Sequence, residues 1–338
     1  MSEERAIVIL GAGSWGTALA IQFARSGTAT TLWGRVEDHL DRLIADRENQ
    51  HYLPGARFPD SLAIEPDLEQ ALASAPMVLV AVPSHAFRAT LESIRPMLKE
   101  EARLAWATKG FEVETGRLPH QVAEEVLGSG IATAVVSGPT FAKEVGAGLP
   151  TAMTVASADA NFASELAESI SGENFRAYTS DDMVGVEVGG AVKNALAIGA
   201  GICDGLGFGA NTRVALITRG LVEMTRLGVA LGAKPATFMG LAGMGDLVLT
   251  CTDDLSRNRR MGLALAAGKT IDEAAIEIGQ VVEGVKAADA VHRVATAADV
   301  EMPICEQIYR ILYQGEDPRA AVSALMQREL KSEFAPAG

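Results

Sequence analysis

A single lysine stands in the stretch "VGGAVKNALAIGAG" at 188–201, among glycine, alanine, small aliphatics and one asparagine. On a helix, Gly189, Lys193, Ala197 and Gly201 fall four apart on one face, so an ammonium rises from a stripe almost devoid of side chains. Spacing of this kind more often means close helix packing, with Lys193 reaching outward to water; the other reading is that the bare glycine face lets reactants come close to the ammonium.

A second candidate is "VILGAGSWGTALA" at 8–20. It sets Gly11, Gly13 and Gly16 as G-x-G-x-x-G directly after a strand pattern and at the opening of a helical one. Gly11 permits the tight turn, Gly13 admits a pyrophosphate to the backbone, and Gly16 lets the helix sit close to the strand. The amides of Ser14, Trp15 and Gly16, at the positive end of the helix dipole, then hold the phosphates. A glycine turn that merely packs is the alternative, but the strand-turn-helix context favours a dinucleotide. A cofactor lacking a 2′-phosphate usually meets an acidic residue about 20 positions after the fingerprint. Here "TTLWGRVED" places Trp33 and Gly34 at that site, followed by Arg35, which can pair with a 2′-phosphate. NADPH is therefore favoured over NADH, which stays possible because Glu37 and Asp38 are close and Arg35 can also be read as a solvated charge.

Three further loops, "VAVPSHAFR" (80–88), "ATKGFE" (107–112) and "SGPTFAKEV" (137–145), each follow an apolar run, at the strand ends where open α/β sheets bind ligands. Ser84, His85 and Thr140 are read as helix caps or ligands, and Lys109 as a cation over the cleft or a side chain in water. Later, "GLAGMGDLVLTCTDDLSRNRRMG" (240–262) gathers Arg257, Arg259 and Arg260 around Asn258. Guanidinium forks match phosphate oxygens, which suits a small phosphorylated substrate. The alternative pairs these arginines with Asp253, Asp254 and Glu283. Asp246 could accept from a substrate hydroxyl or cap the helix "LVLTCT"; spacing leaves both open.

The elements that must position these residues come in two textures. From residue 6 to about 178, "AIVIL", "TATTLW", "MVLVAV", "RLAWAT", "TAVVS" and "TAMTVA" alternate with amphipathic helical patterns, which predicts a parallel sheet covered on both faces. From about 185 onward, alanine- and leucine-rich helical patterns replace the strands. The expected organisation is an α/β, Rossmann-type doubly wound N-terminal domain over 1–187 and an all-α substrate-binding domain over 188–335. With 338 residues, 48% of them hydrophobic, the chain can fill such cores. A net charge of −14 argues against a nucleic-acid partner, whose phosphates would need a basic surface. Cys203, Cys251 and Cys305 are odd in number and lack C-x-x-C spacing, so they read as buried thiols in a reducing compartment. No leader pattern and no run of about 18 apolar residues is seen, so no integral membrane segment and a cytoplasmic location are expected. Other chemistries fit poorly. The histidines show no paired metal spacing, "AAGKT" has Leu263 where a phosphate loop needs glycine, and "AGSWG" has Ala12 where a hydrolase elbow needs glycine. No metal is expected.

"GAGSWGTALA", "KGFE", "SGPTFAKE", "VGGAVKNALAIGAGICDGLGFGANT", "GLAGMGDLVLTCT", "LSRNRR" and "GQVVEG", in this order and spacing, resemble the bacterial NAD(P)-dependent glycerol-3-phosphate dehydrogenase family as far as about residue 330. The resemblance implies a Rossmann-type domain followed by a helical one, in a homodimer that interconverts dihydroxyacetone phosphate and sn-glycerol 3-phosphate for phospholipid synthesis. It makes Lys193 the proton acceptor and gives Lys109 contacts to both cofactor and substrate. Gly138, Thr140 (often serine in relatives), Asp246, Ser256, Arg257 and Asn258 then match substrate positions. Ser14, Trp15, Arg35, Tyr52, Ala142, Arg257, Val281 and Glu283 match the dinucleotide side. In that chemistry Lys193 protonates the developing alkoxide. Burial beside Lys109 or Arg257 would lower its pKa from the ordinary value of about 10.4 toward the working range. Two rival readings are another β-hydroxyacid-type dehydrogenase, such as a ketopantoate or 6-phosphogluconate enzyme, and a non-catalytic dinucleotide-binding redox sensor.

Overall fold

Short runs of aliphatic and β-branched residues form strands where both faces are covered, and the first half of the chain is built on that rule. The structure, a computed structural model, describes residues 6–329 and 332–333. It falls into two compact units: the chain as far as Lys109 together with Arg117–Glu187, and Gly110–Gly116 together with the chain from Val188 on. The Gly110–Gly116 excursion joins the second unit through a hydrogen bond from Arg293 to the Val113 carbonyl and through Gly116, packed on Val294. A division drawn at 187/188 does not foresee that excursion.

Among its described residues the first unit holds eight strands: β1 (Ala6–Leu10), β2 (Ala29–Trp33), β3 (Leu62–Ile64), β4 (Met77–Val80), β5 (Arg103–Trp106), β6 (Thr133–Ser137), β7 (Thr151–Ser157) and β8 (Phe175–Ser180). They form one sheet in the order β3-β2-β1-β4-β5-β6-β7-β8. All neighbours are parallel except β6 and β7, which run antiparallel with Val135 opposite Ala156. The all-parallel expectation is corrected there. The connection from β6 to β7 contains only the short helix Ala142–Ala147, and the chain returns in the opposite direction. β3 and β8 are additions to the six strands legible in the sequence. β1 is buried from Ile7 to Leu10, and the helix Ser14–Arg25 is buried along most of its length, from Gly16 to Ala24. Ile7, Ile9, Leu19, Phe23, Leu32, Leu79, Val136 and Phe162 share the core of this unit.

The second unit is helical. Its central element is the helix Met183–Gly205, which starts in the first unit, where Asp182 Oδ1 accepts the Gly185 amide at 2.9 Å. At 23 residues and mean hydropathy 1.3 this helix is long and apolar enough to cross a membrane. Its apolar window is wholly buried in the protein, which makes it a core helix here. The helices Gly209–Ala230, Arg257–Ala266, Glu283–Ala297 and Pro303–Gln314 follow. All three cysteines are buried free thiols. Burial pushes Cys251 up to about 12 and Cys203 up to about 11, so neither is a thiolate near neutrality.

Glu223, on the helix Gly209–Ala230, caps the helix Pro303–Gln314, accepting the Ile304 amide at 2.7 Å and the Cys305 amide at 3.1 Å. Burial raises its carboxyl from the ordinary 4.5 to about 7, against the pull of those two amides. The folded state therefore holds this proton more tightly than the unfolded chain does. The associated stability is complete below pH 4.5 and is lost as pH rises through about 7. The linked change is on the order of 3 kcal/mol. Unfolding midpoints measured between about pH 5 and pH 8 are expected to fall in the parent and to fall less in Glu223→Gln. Equal slopes in the two proteins would remove Glu223 as the source.

Candidate active site

In the first unit the glycines of the β1–helix turn differ in what surrounds them. Gly11 has φ +124° and a Cβ there would lie 2.5 Å from the Ala81 carbonyl oxygen, while one on Gly16 would lie 1.9 Å from the Gly11 oxygen. Both must be glycine for the turn to close on β4 and on itself. A Cβ on Gly13 would meet nothing within 4 Å, so the space over that residue is open to a ligand. The first hydrogen bond of the following helix is Thr17 to the Gly13 carbonyl, 3.0 Å, and no side chain caps this end. The amides of Ser14, Trp15 and Gly16 therefore precede the ladder. Trp15 Nε1 is buried with no hydrogen-bond partner. Open space at Gly13, uncapped amides and an orphaned indole N–H all fit an anionic dinucleotide.

The turn is braced from outside by residues that sequence reasoning missed. Asn49, fully buried, donates to the Ala12 carbonyl at 3.1 Å and to Thr17 Oγ1 at 2.8 Å, and its Oδ1 accepts the Tyr52 amide. His39 Nε2 also lies 3.2 Å from the Ala12 carbonyl. Tyr52 packs edge-on against His39 and His51, with its ring partly exposed. At the end of β2, a Cβ on Gly34 would sit 2.8 Å from Ala12 Cβ, so this position has no room for an acidic side chain. Arg35 is exposed beside it.

Lys109 is half-buried just beyond β5, after Thr108, whose hydroxyl donates to the Val82 carbonyl at 2.7 Å. Gly138 follows β6 with φ +154°, and a Cβ there would lie 2.9 Å from Met153 Cα, so the backbone of β7 passes too close for any side chain. Thr140 Oγ1 donates to the Gly138 carbonyl at 3.2 Å, and the hydroxyl of Ser137 is buried without a partner. Ala142 opens the helix Ala142–Ala147, which no side chain caps. Ser84 opens the helix Ser84–Ile94, yet neither it nor His85 caps that helix.

Nearby, Glu187 is buried and accepts from Trp106 Nε1 at 2.9 Å, from the His120 amide at 3.0 Å, and from His120 Nδ1. Burial raises the Glu187 carboxyl, partly opposed by these bonds. Burial alone would lower the His120 imidazole, but the Glu187 carboxylate outweighs it and the net shift is upward.

In the second unit, Lys193 is 7% exposed and its Nζ donates to Asp246 Oδ1 and, at 3.1 Å, to Thr250 Oγ1. Outward snorkelling is thereby overturned. One neighbour of this ammonium is thus a carboxylate, a pairing that the sequence reading, with Lys109 or Arg257 beside Lys193, did not include. Asp246 begins the helix Asp246–Thr252 but does not cap it; its carboxylate is turned to Lys193. Thr250, one turn on, also donates to the Asp246 carbonyl at 2.6 Å.

The bare face of the lysine helix is filled by protein. A Cβ on Gly189 would lie 2.4 Å from the Ala242 carbonyl oxygen, and one on Gly201 2.1 Å from that of Arg259. Gly262 returns the contact, with a Cβ position 2.0 Å from the Ile198 oxygen. These glycines serve backbone-to-backbone helix packing, and the expectation that they open room for reactants is corrected. Close packing and a buried lysine, set against each other in the sequence, occur together.

The arginine cluster divides. Arg259 is held by Asp254 and, at 2.7 Å, by Asp204, which also takes Arg213 in two bonds of 2.8 and 2.9 Å. It is a structural cation. Arg257 is half-buried and reaches Gln280 at 3.4 Å. Ser256 caps the helix Arg257–Ala266, accepting the Arg259 amide. Asn258 is buried, donates to Asn194 Oδ1 at 2.9 Å and accepts the Gly284 amide at 2.9 Å. That bridge sets the start of the helix Glu283–Ala297, where Glu283 is half-buried, near the exposed Val281. Among the described residues no cluster of His, Cys, Asp and Glu could hold a metal ion.

Comparison with known proteins carries this geometry to a family. The model of the NAD-dependent glycerol-3-phosphate dehydrogenase N-terminus matches residues 6–163, and that of the C-terminus matches 182–323. Glycerol-3-phosphate dehydrogenase [NAD(P)+] of Pseudoalteromonas translucida is 57% identical over 97% of this chain and 98% of its own length. The protein of the same name from Aeromonas salmonicida is 56% identical over 98% of this chain and 100% of its own. A crystal structure of glycerol-3-phosphate dehydrogenase from Coxiella burnetii superposes with a TM-score of 0.93 at 47% identity, covering 97% of this chain and all of that one. At these identities and coverages, the chain belongs to the NAD-dependent glycerol-3-phosphate dehydrogenase family.

Proposed function

We propose that this protein reduces dihydroxyacetone phosphate to sn-glycerol 3-phosphate, reversibly, with NADPH as the preferred nicotinamide and NADH as a weaker substitute. The observation that carries the reading is the buried Lys193, fixed by Asp246 and Thr250 in a helical unit. When bound, the reduced nicotinamide supplies a hydride to the carbonyl carbon of the substrate. Lys193 gives a proton to the carbonyl oxygen as its charge develops, and takes one back in the reverse direction. Asp246 holds the ammonium in place. Arg257 neutralises phosphate with its planar fork, while Lys109, Gly138, Thr140, Ser256 and Asn258 complete the substrate positions. Gly11, Gly13, Ser14, Trp15 and Gly16 hold the pyrophosphate, with Arg35, Tyr52, Lys109, Ala142, Arg257, Val281 and Glu283 along the rest of the dinucleotide. The same reading makes the protein a cytoplasmic homodimer whose product feeds phospholipid synthesis.

Loss of NADPH absorbance on adding dihydroxyacetone phosphate tests this directly. NADPH loss with this ketone, without NADPH loss on ketopantoate or NADPH formation from NADP+ and 6-phosphogluconate, is the expected result. Cofactor binding without turnover of any of them would favour a redox sensor. For the cofactor, Arg35→Ala is expected to raise KM for NADPH about tenfold, the worth of one charge-assisted hydrogen bond, and to leave KM for NADH nearly unchanged. An unaltered ratio of the two constants would reject Arg35 as the 2′-phosphate ligand.

A further inference from the structure

Glu187 sits at the base of the chain segment that carries Lys109. Its side chain is 1% exposed, and its carboxylate takes three donors from two places in the sequence. Trp106 is the last residue of β5, and His120 lies in the first turn of the helix Pro119–Leu127. One carboxylate thus grips both ends of the stretch 107–119. We propose that Glu187 is a positioning residue that closes this stretch and so fixes Lys109; the inference rests on the reading of Lys109 as a ligand of substrate and cofactor.

The physical case has three parts. A carboxylate out of water persists where its lone pairs meet donors, and here an indole N–H, a backbone amide and an imidazole supply them. Trp106 is fully buried, with its ring edge-on to Phe87 at 5.7 Å, so the indole end of the clamp cannot swing. Tying the ends of a segment removes most of its alternative conformers, and a displacement of about 1 Å at a reacting group can cost about 10² in rate.

The test is a double-mutant cycle on kcat/KM for dihydroxyacetone phosphate. Glu187→Leu keeps the volume and removes the acceptors, with an expected loss of about 10²-fold. Glu187→Gln still accepts both N–H groups and can donate to a neutral His120 Nδ1, so it should stay within about 3-fold of the parent. Lys109→Ala should itself be impaired, and adding Glu187→Leu to it should cost no more than about 3-fold further. Full additivity, or parental activity in Glu187→Leu, would overturn the positioning role alone. Parental activity in Lys109→Ala would overturn the reading beneath it as well. If Glu187→Leu does not fold, Trp106→Phe removes one donor and keeps an aromatic ring, though a smaller one. Faster amide hydrogen exchange across 107–119 is then expected, and parental exchange there would refute the clamp.

Discussion

Lys193→Ala is expected to bind NADPH as the parent does and to turn over at least ~10²-fold more slowly. The side chain is buried and held by two oxygens, Asp246 Oδ1 and Thr250 Oγ1, so its nitrogen is fixed to a narrow range of positions. A fixed donor spends no reorganisation energy when the alkoxide forms. Lys193→Arg is the informative companion. It keeps a cation for Asp246, but a guanidinium does not give up its proton at working pH, so it too should be slow, above all in glycerol 3-phosphate oxidation. Steady-state rates in both directions, with NADPH affinity measured by fluorescence, check the pair. Near-parental turnover in Lys193→Ala would end the proposed proton transfer. Loss of NADPH affinity alongside turnover would point to collapse of the fold instead.

Asp246→Ala carries the largest expected effect on stability. Asp246 is 1% exposed, and its removal takes a carboxylate away from a buried ammonium that also donates to the Thr250 hydroxyl. Breaking a buried pair from one side costs about 3–5 kcal/mol, because the surviving charge loses the Coulombic attraction that offset its desolvation. That corresponds to a fall in unfolding midpoint on the order of 10 °C. The double variant Asp246→Ala with Lys193→Met removes both charges and should recover much of the loss. Thermal unfolding of the two proteins side by side makes the comparison. Parental stability in Asp246→Ala would mean that the pair is not closed in solution.

Both predictions turn on a partner that no local pattern announces. Lys193 and Asp246 are 53 residues apart, and the sequence left the aspartate equally able to cap its own helix. Its turn toward the lysine is set by the contact of Gly189 with the Ala242 carbonyl, which draws the segment before Asp246 against the lysine helix. Arg257 and Arg259 make the same point. They are two residues apart on one helix, yet Arg259 is consumed by Asp204 and Asp254 while Arg257 reaches Gln280. Alternation of sign along "DDLSRNRR" could not separate them.

The amino-acid sequence alone was sufficient for the glycine turn between β1 and its helix, six of the eight described strands, the change from α/β to helical texture and the family resemblance. Each of these depends on neighbours along the chain: glycine sterics, apolar period and motif order. Tertiary structure decided the rest. β3 is three residues long and β8 half-exposed, too little signal to stand out before a neighbouring strand pairs with them. The glycine stripe of the lysine helix reads identically whether a substrate or another backbone fills it, since absence of a side chain does not say what comes near. The lysine's counter-ion, the clamp at Glu187 and the brace at Asn49 join residues far apart in sequence. Such pairs are chosen by which buried polar groups the packed surfaces bring within hydrogen-bond reach, a condition that exists only once the core has formed.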